Sequence, residues 1–267
     1  MTFSLNEFVE RIASKGLNVL SVRVLQHGRL IDEWDADQDV RRQQHSISKS
    51  FTCMAAILAI TEGKLHLGTK LQDLFPQYAG LAPESPLPPE KLTLFDLLRM
   101  SSGHDSPPLW AEERASLQEK DWVKYYMSLP LDRFPGETFT YSSGDTFIVS
   151  AMIQAAVGQT VKDYLTPRLF EPLGIQNVQW DASPLGITLG CAGLWISNEE
   201  LSRFGQLMLQ KGNCRERSSS LKSGSNLSPG STLIPRGAET GAKDTAANSG
   251  CALMKPIVQT EPTGSSV

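Results

Sequence analysis

From Phe51 to Ile60 the chain is apolar apart from Thr52, and a polar segment, His45-Ser46-Ile47-Ser48-Lys49-Ser50, runs straight into it. The run predicts a helix from about Ile47 to Glu62, with Ser46 at or near the N-cap and Gly63 as the residue that stops it. A helix that is apolar nearly all round has no face to give to water, so the rest of the domain must be built around it. At this length it is too short to cross a bilayer.

Ser46 and Lys49 stand three apart, so on one helix their side chains can meet. A serine hydroxyl is a weak nucleophile until a base takes its proton, and a lysine amine serves as that base when burial or a helix N-terminus disfavours its charged form. Amides at the helix start can hold an oxyanion. Alone, S-x-x-K is most simply a capping serine beside a solvated lysine. The apolar helix behind it and a second motif downstream set this one apart.

Composition narrows the classes. A chain of 267 residues with 40% hydrophobic residues can bury a sizeable core. A net charge of −4 argues against nucleic acid or an anionic membrane surface as partner. The first fifteen residues lack a basic stretch followed by an apolar one, so no signal peptide is expected and the cytoplasm is the expected compartment. Cys53, Cys191, Cys214 and Cys251 show no metal spacing and are expected as reduced thiols. The four His are scattered, and there is no HExxH, Walker or GxGxxG motif, so no metal site and no cofactor are expected.

Along the chain, residues 5–15 predict an amphipathic helix with Phe8, Val9 and Ile12 on one side. Leu17–Leu25 and Arg29–Trp34 predict a hairpin turning at His27-Gly28. A short helix follows Leu65, and Pro83, Pro86, Pro88 and Pro89 mark a loop. Further helices are expected at Leu92–Met100 with Thr93 as N-cap, across about Trp110–Leu129, at Phe147–Val157 capped by Gly158, at Val161–Phe170 and at Glu199–Gln210. Ala192–Ser197 reads as strand or turn.

Tyr141-Ser142-Ser143 lies ahead of the Phe147 helix. A phenol beside a lysine ammonium loses its proton more readily and can act as general base or acid, and Ser143 could bond Lys49 or substrate. Taken alone, the triplet is most simply a core tyrosine followed by a capping serine. Combined with Ser46-Ile47-Ser48-Lys49, it resembles the boxes of the class C β-lactamase-related serine hydrolases, which include penicillin-binding esterases and amide hydrolases. Supporting stretches are Leu92-Thr93 through Gly103-His104, Phe170–Ile175, and Ala192-Gly193-Leu194 through Phe204-Gly205. The resemblance covers about residues 19–212. It implies an α/β (α+β) fold of the β-lactamase/transpeptidase kind, an antiparallel sheet flanked by a mostly helical region. It also implies Ser46 as acylated nucleophile, Lys49 as its base, Tyr141 as general base or acid and Ser143 as substrate-binding. The substrate would be a small ester, amide or β-lactam. No G-x-S-x-G elbow is present to suggest the α/β-hydrolase alternative.

The resemblance also implies a third box, a K/H-T-G-like or D-G-x-x-G-Q-like strand after Gly212, and it is not found; Thr263-Gly264 is not accepted as that box. Every Trp, Tyr and Phe precedes Cys214, and residues 214–267 are rich in Ser, Gly, Thr, Pro and Ala. That composition reads as a disordered tail or as the product of a reading-frame shift near codon 213. Joining the last base of each codon to the first two of the next, residues 248–267 can encode FWMRSDETYRADGAYGQFC, which carries the missing D-G-x-x-G-Q element. The expected division is a hydrolase domain at 1–213, lacking the sheet's C-terminal strands, and a low-complexity remainder at 214–267. An exposed hairpin edge and poor solubility follow from that loss. The alternative is an inactive fragment or pseudoenzyme, at most a binding module.

Overall fold

The computed structural model describes residues 3–85 and 87–210, and the boundary at Asn213 with everything assigned to 214–267 lies outside them. The chain opens with helix α1 (Asn6–Ser14), in which Ile12 is buried while Phe8 stays half exposed. Strands β1 (Ser21–Gln26) and β2 (Arg29–Asp35) form an antiparallel hairpin. His27 and Gly28 both take positive φ, the geometry of a two-residue turn whose twist matches the strands. Strand β3 (Arg42–Gln44) leads into helix α2 (Ser48–Thr61).

The middle of the chain is helical and short-stepped: α3 (Leu71–Leu74), α4 (Leu94–Leu98), α5 (Ala111–Ser116) and α6 (Trp122–Ser128). Thr93 caps α4 as expected, accepting from the Asp96 amide while the Asp96 carboxylate takes the Thr93 amide. The single helix expected across Trp110–Leu129 is two. The break comes at Asp121, whose carboxylate accepts from the Val123 and Lys124 amides and starts a new helix there.

Helix α7 (Ser143–Val157) begins four residues earlier than its apolar run suggested, because Ser142 caps it through the Asp145 amide. Gly158 closes α7 in the left-handed conformation. Helix α8 (Val161–Leu165) widens into a π-helical turn over Thr166–Phe170, where Pro167 offers no N–H for the α-helical ladder. Strands β4 (Gln179–Trp180) and β5 (Leu194–Ile196) and helix α9 (Asn198–Leu209) complete the described chain.

Strands β3, β5 and β4 form one antiparallel sheet in that order, with Gln44 opposite Leu194 and Trp180 opposite Leu194 on the other side. Among the described residues β1 and β2 pair only with each other. Their Leu30 and Ile31 stand 44% and 40% exposed, consistent with a hairpin short of neighbours.

The core forms where α2 and α7, both buried almost all round, pack together. Phe51 of α2 is fully buried, and its ring lies 4.0 Å from Phe204 of α9, 5.9 Å from Phe170 and 6.5 Å from Trp180. One side chain therefore ties the central helix to three later elements. Cys191 is a free buried thiol, and Cys214 and Cys251 lie outside the described residues.

Candidate active site

Helix α2 starts one residue after the expected Ile47. Regular α-helix begins at Ser48 with Ile47 as cap, and the residues before it wind more tightly. The amides of Ser48, Lys49 and Ser50 donate to the carbonyls of His45, Ser46 and Ile47, three residues back in each case. Three residues per turn makes positions three apart eclipse, so Ser46 and Lys49 stack over one another. Lys49 Nζ lies 3.4 Å from Ser46 Oγ. Ser46 is exposed while Lys49 is 1% exposed, so a hydroxyl open to solvent sits directly on a buried amine. Among the described residues the Ser46 amide donates no backbone hydrogen bond, which leaves it free for a ligand oxygen.

Two other regions meet Lys49. Its Nζ donates to the Cys191 carbonyl at 2.8 Å and lies 3.5 Å from Ser143 Oγ at the start of α7. One helical turn on, Thr52 Oγ1 donates to the preceding carbonyl, Gly190, at 2.9 Å. Positions 49 and 52 of α2 thus grip two successive carbonyls of the loop that precedes β5. Gly190 holds φ +67°, and a Cβ there would stand 2.8 Å from the Ser150 Cβ, so only glycine lets this loop lie against α7. All three Lys49 contacts are to neutral oxygens, which suits either a three-proton ammonium or an amine with its lone pair turned to Ser46.

Tyr141 joins the cluster by its ring. Lys49 Nζ lies 5.0 Å from the ring centroid, and the Trp110 ring lies 6.1 Å from it, tilted by 33°. A cation over an aromatic face is held by the ring quadrupole. Among the described residues the Tyr141 hydroxyl makes no hydrogen bond to Ser46 or Lys49. The structure therefore brings Ser46, Lys49, Ser143 and Tyr141 together, the last through its ring rather than its oxygen.

Sequence reasoning missed the Cys191 carbonyl, which only the folded chain brings to Lys49, and Trp110, which it brings to the Tyr141 ring. It also missed a buried polar cluster beneath the Tyr141 loop. Asp145 Oδ1 accepts from Ser142 Oγ at 2.7 Å and from Ser102 Oγ and Tyr126 Oη at 2.9 Å each. Burial pushes the Asp145 carboxyl up to about 6, and it pushes His104, 3.2 Å from Ser102 Oγ, down to about 4. An acid four residues after the tyrosine was visible in Tyr141-Ser142-Ser143-Gly144-Asp145, but nothing local marks it as buried.

A family model described as Beta-lactamase matches residues 6–235. The chain belongs to the beta-lactamase family. Its fold is β-lactamase/transpeptidase-like: it superposes on a class C beta-lactamase from Rhodobacter sphaeroides with a TM-score of 0.60 at 20% identity, covering 77% of this chain and 64% of that one. The beta-lactamase/D-alanine carboxypeptidase from Pseudomonas syringae gives 0.62 at 17% identity, over 86% and 68%. Among curated proteins the lovastatin esterase of Penicillium rubens is 29% identical over 153 residues, 51% of this chain and 38% of the esterase. This beta-lactamase family chain thus matches well under half of that relative's length. Among the described residues the sheets are small and antiparallel, which accords with that fold.

Proposed function

We propose that the protein is a serine hydrolase that works through an acyl-enzyme on a small ester, amide or β-lactam. The observation that carries this is the exposed Ser46 hydroxyl stacked 3.4 Å from the buried Lys49 amine, with Ser143 beside it. Ser46 Oγ attacks the carbonyl carbon and its proton passes to Lys49. The oxyanion so formed is met by the free Ser46 amide at the mouth of α2. Protonated Lys49, with Tyr141 as partner, returns the proton to the leaving alkoxide or amine. Water then attacks the acyl carbon, gives a proton to the same groups, and Ser46 recovers its own. Ser143 orients Lys49 and the substrate.

A fluorescent fluorophosphonate or penicillin tests this. Labelling of the wild type that is lost in Ser46→Ala supports acyl transfer, and folded wild type that resists both probes refutes it. A second reading, a fold that binds such molecules without turning them over, draws on Tyr141 presenting its ring and not its hydroxyl to Lys49. Saturable binding of penicillin without covalent label would favour it.

We also propose that the hydrolase domain is residues 1–213 and that 214–267 are out of frame, in a protein of the cytoplasm. The coding DNA around codon 213 decides the frame: codons that exclude the aromatic-rich strings would sink it.

A further inference from the structure

We propose that Asp145 is a positioning residue for acyl transfer, holding the Tyr141-Ser142-Ser143 segment from beneath by gathering three hydroxyls onto one carboxylate oxygen. The proposal rests on the reading of Ser46 and Lys49 given above.

Asp145 is fully buried and is the third residue of α7. An acid in the first turn of a helix commonly does no more than complement the dipole. Here the contacts go further. Ser142, which donates to Asp145 Oδ1 at 2.7 Å and accepts from the Asp145 amide at 2.9 Å, lies between the two residues that face Lys49. On one side is Tyr141, its ring over the lysine; on the other is Ser143, its hydroxyl 3.5 Å from the amine. Ser102, after α4, and Tyr126, in α6, converge on the same oxygen at 2.9 Å. One carboxylate thereby fixes the Tyr141 loop to two separate parts of the helical region.

The protons in this cluster follow from its chemistry. An ionised carboxylate only accepts, so Ser142, Ser102 and Tyr126 each spend their single proton on it. The Ser102 oxygen is left as an acceptor for His104, 3.2 Å away, which assigns the proton to Nδ1 of a neutral imidazole. Burial keeps that ring neutral. Each hydroxyl then has one orientation, and Ser142 cannot turn without breaking two bonds to Asp145. A cap alone would have used Ser142; the two long-range hydroxyls have no part in capping and serve to fix the loop's height above Lys49.

The test uses the full chain and p-nitrophenyl acetate, with rates expressed per Ser46 titrated in the burst. Asp145→Asn is isosteric but places an N–H₂ among the donors. It is expected to lower kcat about 10- to 100-fold with KM within about twofold, the effect of misplacing reacting groups by a fraction of an ångström. Tyr126→Phe and Ser102→Ala, which each remove one donor and leave the acid, are expected to lower kcat by smaller factors. They carry the test if Asp145→Asn does not fold. Wild-type kcat per titrated site in Asp145→Asn, or in both single-donor variants, overturns the proposal, since a merely stabilising residue changes how much protein folds and not its rate per site. A wild type that neither bursts nor turns over overturns the acyl-transfer reading instead. The clamp is then judged by amide exchange: faster exchange at residues 141–143 in Asp145→Asn, with α2 unchanged, supports it, and unchanged exchange at 141–143 overturns it.

Discussion

Replacing His104 with Asn should make the protein more stable in acid relative to the wild type, and the size of the change follows from where the imidazole sits. His104 is 4% exposed, its Nδ1 is used by Ser102, and its Nε2 is buried with no partner among the described residues. Burial lowers it from its ordinary 6.5 to about 4. The unfolded chain therefore takes up a proton as pH falls below about 6.5 that the folded chain refuses until about 4. Stability linked to His104 is complete above 6.5 and is lost through that window. At about 1.4 kcal/mol per unit, the loss is about 3 kcal/mol. Asp145 works in the opposite sense. Its carboxyl is raised from 3.8 to about 6 by burial, so the charged form is penalised above 6 and the penalty is relieved as pH falls toward 3.8. In the wild type the two slopes nearly cancel.

Asn at 104 can keep a donor for Ser102 without carrying a titrating group. It loses the edge contact between the imidazole and the Tyr126 ring, centroids 5.1 Å apart, but that cost does not depend on pH. Urea unfolding followed by tryptophan fluorescence, at steps between pH 7.5 and 4, gives the free energy of each protein. The difference, variant minus wild type, is expected to rise by about 3 kcal/mol from pH 7 to pH 4. A difference that stays flat would show that the imidazole is not held neutral, and would remove the tautomer assignment with it.

Three further outcomes test other parts of the structure. Phe51→Ala removes the fully buried ring that contacts Phe170, Phe204 and Trp180, and should cost about 3–5 kcal/mol in denaturant unfolding; a cost below about 1 kcal/mol would mean the aromatic cluster is not packed as described. Gly190→Ala must hold φ +67° and displace Ser150, so it should lower stability by more than about 1 kcal/mol and slow Ser46 labelling through the Cys191 carbonyl on Lys49. Unchanged labelling would separate that loop from the site. Thr93→Ala should cost about 1 kcal/mol, the worth of its N-cap, with no effect on labelling.

The local features of this chain were legible because their causes are local. The apolar run after Lys49 needed a core, Thr93 and Gly158 marked helix ends, and His27-Gly28 set a hairpin turn, each through forces acting over a few residues. Ser46 and Lys49 could be paired by spacing alone, although the tight winding that eclipses them shows only in the backbone. The break at Asp121 and the early start of α7 turned on one capping side chain each, which outweighed a continuous apolar pattern. What the sequence could not contain is which distant groups meet the lysine. The Cys191 carbonyl lies 142 residues from Lys49 and Ser143 lies 94 away. Ser102 and Tyr126 reach Asp145 from 43 and 19 residues away. Backbone carbonyls carry no residue code, and hydroxyls look alike in any sequence. Burial then decides that Asp145 keeps its proton to higher pH while His104 sheds it, and burial is a property of the packed chain, not of the residue.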